Sequence, residues 1–239
     1  MSEGPEAIAA ERPGAAETPR EVVAALLVLT FTTGIVDAVS LLGLGPVFVA
    51  NQTGNVLLLG FAIAGASGFT VAATLIALVG FIIGIAAGGL IGRDRRIGVA
   101  GWMKLALGIE IALLTAAALL AIGVDLGDGE EARRYAAIAL LAAAMGVRNA
   151  AVRDLKVIDL ATTTVVSMTM TGLLSDSERE GAGGPNLVRR GGAVAAMLAG
   201  AVTGALLTLH ADAAVPLAVA AGCVLVSLAL VLRIGASDR

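Results

Sequence analysis

Residues 69–92 read FTVAATLIALVGFIIGIAAGGLIG, a stretch without one charged side chain. At a helical rise of about 1.5 Å per residue it reaches about 36 Å. That is enough to cross a hydrocarbon core about 30 Å thick. Working outward, apolar segments of similar length recur at 22–43, 47–64, 99–122, 135–152, 157–174, 191–209 and 213–232. The whole chain of 239 residues is 58% apolar and only 15% charged, with a mean hydropathy of +0.93. A soluble domain of this size carries about a quarter charged residues, so the class is an all-α membrane protein. Net charge of −3 and the absence of a basic stripe exclude a nucleic-acid partner. The single cysteine, Cys223, permits no internal disulfide, and neither a metal nor another cofactor is expected.

Two of the eight segments carry too much polarity for a lipid-facing helix. The second opens on Asn51, Gln52, Thr53 and Asn55, and the sixth holds Thr162, Thr163, Thr164, Ser167, Thr169 and Thr171. Broken backbone at membrane depth survives only where protein or a watery cavity surrounds it. If both segments enter and leave on one side, and the N-terminus is cytoplasmic, only Arg133 and Arg134 of the 16 basic residues fall outside. If all eight segments span, the basic residues divide almost evenly. The positive-inside rule therefore favours about six transmembrane helices plus two re-entrant or broken segments, with a seven-span chain as the alternative. The expected organisation is a disordered tail (1–21), a first membrane repeat (22–122), an extracytoplasmic loop (123–134), a second repeat (135–232) and a short tail (233–239).

The repeat rests on paired motifs. Gly34-Ile35-Val36-Asp37-Ala38 answers Gly146-Val147-Arg148-Asn149-Ala150, and Thr53-Gly54 answers Thr171-Gly172. Gly80, Gly84 and Gly88 have their match in Ala196, Gly200 and Gly204, small residues at every fourth position that let two helix backbones approach closely. Three long helices and one broken segment per half would run in opposite directions. Such a 3+3 inverted repeat is a recurrent plan of transporters, with the pathway between the halves.

Ionisable residues in a span cost about 2.5 kcal/mol or more at mid-membrane, which singles out Asp37, Glu110 and Arg148. By helical rise, Glu110 lies about 16 Å, Arg148 about 10 Å and Asp37 about 22 Å from the cytoplasmic face. A Glu110–Arg148 ion pair is the economical arrangement, with Asp37 and Asn149 in equivalent places nearer the two mouths. The alternatives are an Arg148 that snorkels to the headgroups and an Asp37 that only bonds a neighbouring helix. Asn51 and Asn55 share a helical face, as do Thr164, Ser167 and Thr171. These, with Thr53, are expected to line a polar path; capping broken helix ends is the competing role.

The pattern Thr33-Gly34-Ile35-Val36-Asp37-Ala38-Val39-Ser40, followed by residues 45–55 from Gly45-Pro46 to Asn55, resembles the YoaK-like family of bacterial membrane proteins. Met145 to Ala150, and Thr162-Thr163 through Thr171-Gly172, resemble that family's second signature. The likeness runs over residues 22–232. At Arg148 the chain departs from the amide that the resemblance implies, so an ion pair there is not a family expectation. The resemblance implies a multi-pass protein of the bacterial cytoplasmic (inner) membrane and a domain of unknown function.

The leading functional expectation is a small-solute transporter or channel. An intramembrane enzyme is the weaker one, because the chain offers no His cluster, no second cysteine and no nucleophile elbow. The main alternative, ahead of the enzyme, is a non-transporting scaffold or sensor, assembled as a homo-oligomer through the Gly80, Gly84 and Gly88 face. Partners are the lipid bilayer and a small solute.

Overall fold

In lipid, backbone N–H and C=O groups must bond within their own segment, so the apolar stretches become helices. The computed structural model describes residues 19–94, 96–123, 130–155 and 185–237, with side chains described from 188 to 233 in the last stretch. Seven α-helices appear among these residues: α1 (Arg20–Val39), α2 (Gln52–Ile63), α3 (Val71–Gly92), α4 (Gly98–Ala121), α5 (Glu131–Asp154), α6 (Pro185–His210) and α7 (Ala214–Ser237). Six are long and apolar enough to cross a membrane. The seventh, α2, has 12 residues, about 18 Å, or little more than half a hydrocarbon core. The threonine-rich sixth segment, with Thr164, Ser167 and Thr171, lies outside the described residues.

Helices reach further than the apolar segments. α5 begins at Glu131 where the fifth apolar segment begins at 135, and α6 at Pro185 where the seventh segment begins at 191. Hydropathy marks where lipid begins, whereas the helical backbone continues into the headgroup layer. There Arg133 pairs with Glu130 at 2.6 Å and donates to the Ile122 carbonyl at 2.7 Å.

The inner helices are α1 and α5, each 61% buried over its apolar stretch, against 17% for α6. α1 packs on α6 and α7, α5 packs on α3 and α4, and α4 meets α7. Lipid-facing surfaces hold large exposed aliphatics such as Ile82, Ile83 and Leu90 on α3, and Leu198 and Leu206 on α6.

Glycines set both closest crossings. A Cβ on Gly84 would collide with the Ala143 carbonyl, and one on Gly146 with the Phe81 carbonyl. On the other side, a Cβ on Gly200 would collide with the Phe31 carbonyl, and one on Gly34 with the Met197 carbonyl. One turn further on, Gly88 faces Val147 and Ala150 while Gly204 faces Ile35 and Ala38. The two crossings therefore use the paired motifs residue for residue. Only a missing side chain permits such approach, which is where van der Waals packing holds helices together in lipid.

After Val39, α1 continues as one π-helical turn, Ser40–Leu44. Gly45 then ends it at φ +124°, a conformation that other residues rarely adopt. The chain turns back on itself, and residues 49 and 50 come to lie against Asp37, about 10 Å below Leu44 by helical rise. From there α2 climbs out again and joins α3 through a turn in which Phe61 and Phe69 meet edge to face, 5.6 Å apart. The second polar segment thus dips into the bundle and returns.

Candidate functional site

Two polar constructions lie inside the bundle. The first surrounds the returning loop. Its backbone has left helical geometry, so each N–H and C=O needs another partner. Asp37 supplies one oxygen to two of them: Oδ1 accepts from Val49 N at 3.0 Å and from Ala50 N at 2.8 Å. Asn55, fully buried, grips Phe48 from both sides. Its Oδ1 accepts from Phe48 N at 2.9 Å and its Nδ2 donates to Phe48 O at 2.6 Å. Gln52 donates to Val49 O at 3.0 Å and accepts from Asn55 at 2.8 Å. Asn51 caps α2, accepting from Gly54 N at 3.2 Å. Gly54 has no side chain because a Cβ would strike the Phe48 ring at 2.6 Å. Thr53 is exposed.

The second construction joins three helices. Arg148 on α5 is 2% exposed and Glu110 on α4 is 0% exposed, with Nη2 and Oε1 3.1 Å apart. The ion pair expected from the sequence is present, and Arg148 points inward instead of snorkelling. Its other nitrogen donates to the Leu29 carbonyl of α1 at 2.6 Å, and Nη2 also reaches the Met145 sulfur at 2.6 Å. The Leu29 carbonyl also accepts from Thr33 at 3.0 Å. Glu110 is less well served. Among the described residues neither of its oxygens receives a hydrogen bond of good geometry, and Oε1 has only the guanidinium beside it.

Further groups escape a reading by segment. Thr30 and Thr32 bond back to the carbonyls of Leu26 and Val28, both at 2.9 Å. Ser227, the buried polar residue of α7, donates to the Ala25 carbonyl of α1 at 3.1 Å. A lone serine in an apolar run gives no sequence signal. Asn149 is half-buried next to Arg148. Gly80, Gly84 and Gly88 face α5, and Gly200 and Gly204 face α1; Ala196 is half-buried on α6. Among the described residues no three His, Cys, Asp or Glu side chains gather as metal ligands.

Residues 25–230 match a family described as "Protein of unknown function (DUF1275)". The chain is also 34% identical over 152 residues to the UPF0700 transmembrane protein YoaK of Bacillus subtilis (strain 168), covering 63% of this chain and 65% of that protein. The match thus spans just under two thirds of the length of that curated relative. No solved structure matches.

Proposed function

We propose that this chain, which belongs to the DUF1275 family and is an integral multi-pass membrane protein, is a small-solute transporter or channel. The observation that carries the reading is the fully buried Glu110–Arg148 pair, held by three helices with one carboxylate left short of donors. Ionised groups at such depth are expensive, and they mark substrate or proton routes when they occur. A charged pair whose partners can be exchanged suits a gate that opens and closes.

The matched glycine crossings support an inverted arrangement of two halves, with a route between them. The loop pinned by Asp37 would then form one constriction. Loop charges favour a cytoplasmic-membrane protein with both termini inside. A single cysteine at Ser67, after replacement of Cys223, should then react with a membrane-impermeant reagent from outside; protection would reverse the orientation.

The competing scaffold reading needs the glycine face of α3 to be free, and α5 covers it. Catalysis is no part of the proposal; product formed from a lipid extract by the purified protein would overturn that.

A thermal-shift screen in detergent against ions, acids, amines and neutral solutes selects the solute. Flux in liposomes then tests the reading. Glu110→Gln and Asp37→Asn should each lower flux at least about 10-fold, a loss of about 1.4 kcal/mol in the barrier. Unchanged flux and unchanged pH dependence in both variants would sink it.

A further inference from the structure

The ends of α3 and α5 leave a cleft of about 300 Å³ on the outer surface of the bundle. Its lower wall is apolar, formed by Ile85 and Gly89 on the face that meets lipid. Its rim holds two guanidinium groups, Arg93 just past the end of α3 and Arg153 in the last turn of α5. Both are exposed. Among the described residues neither makes an ion pair or a side-chain hydrogen bond. Asp154 stands on the same rim, so the three charged groups sum to +1.

A further donor is buried behind Gly92, beneath the lining of the cleft. Trp102 is 2% exposed, and its indole nitrogen has no hydrogen-bond partner among the described residues. That nitrogen sits 2.9 Å from the point where a Cβ on Gly92 would stand, and the Asp154 Oδ2 lies 3.0 Å from the same point. Gly92 lines the cleft, and a side chain there would press on both the indole nitrogen and the Asp154 carboxylate.

We infer that this cleft binds an anionic phospholipid, with the phosphodiester between Arg93 and Arg153 and an acyl chain along Ile85 and Gly89. The fit is one of charge and of depth. A singly charged phosphodiester balances the +1 rim, and guanidinium pairs recognise phosphate oxygens well. The rim stands at the helix ends, at the level where headgroups lie, and the apolar wall below it opens toward the acyl chains. Basic pockets between transmembrane helices are a known way to hold such headgroups.

Native mass spectrometry of the full chain, exchanged between phosphatidylglycerol and phosphatidylcholine micelles, tests this. Phosphatidylglycerol should be retained in preference. Each of Arg93→Gln and Arg153→Gln should reduce that preference about 5-fold, and both together about 30-fold. Gly92→Ala, which adds a methyl to the cleft lining without altering charge, should also reduce it. Equal retention of the two lipids would overturn the inference, as would undiminished phosphatidylglycerol binding in the double variant. Displacement by millimolar inorganic phosphate alone would also overturn it, assigning the rim to a free anion instead. Both arginines are exposed, so the variants should fold; thermal unfolding unchanged from wild type confirms that the loss is one of binding.

Discussion

The Asp37 corner and the Glu110–Arg148 pair are both buried and charged, yet they are finished differently. At Asp37 one carboxylate oxygen takes two backbone N–H groups, and the loop it holds is bonded through Asn55 and Gln52 as well. At Glu110 the only partner among the described residues is a guanidinium that is already shared with a carbonyl and a sulfur. The first is an anchor, in which every donor has one place to go. The second holds a charge with a single cation and leaves carboxylate oxygens without hydrogen-bond donors among the described residues. The lesson is that buried charge can define shape or remain available, and the hydrogen-bond inventory tells which.

The comparison can be broken most severely at the pair. Glu110→Ala should remove about 3–5 kcal/mol of stability, because it leaves Arg148 buried and uncompensated. Thermal unfolding in detergent reads this directly. Replacing both members with Leu and Met should recover most of the loss while leaving flux abolished; a double variant as unstable as the single one would contradict the account. Next in size is Asp37→Ala, which strands two buried N–H groups and should cost about 3 kcal/mol. It should also let a cysteine placed at Ala50 react with thiol reagents faster than in the parent chain. The smallest effect belongs to Asn51→Ala, which loses only the cap of α2 and should cost about 1 kcal/mol. A loss at Asn51 equal to that at Asp37 would show that the loop is held from α2 and not from α1.

Much of this was legible in the residues, for physical reasons. Lipid tolerates no unpaired backbone, so six long apolar runs had to become six helices. Glycines four apart had to be crossings, since nothing else requires that spacing in a span, and their partners Gly34 and Gly146 share a motif. Glu110 and Arg148 announced each other because a charge at that depth needs an opposite one. Asp37 hid its role because its partners are amides of the main chain, which every residue possesses. The π-helical turn at Ser40–Leu44 was equally hidden: Ser, Leu and Gly there have no preference that separates it from continued α-helix. Helix ends ran past the apolar segments because the hydrocarbon edge and the last hydrogen bond lie at different levels.

Trp102 has a consequence of a different kind. It is the only tryptophan in 239 residues, and it sits on α4 two turns before Glu110, packed behind Gly92 of the Arg93–Arg153 cleft. The protein therefore carries a native fluorophore between its buried ion pair and its lipid-facing rim. Its emission can report on both places without a label, in the unmodified chain.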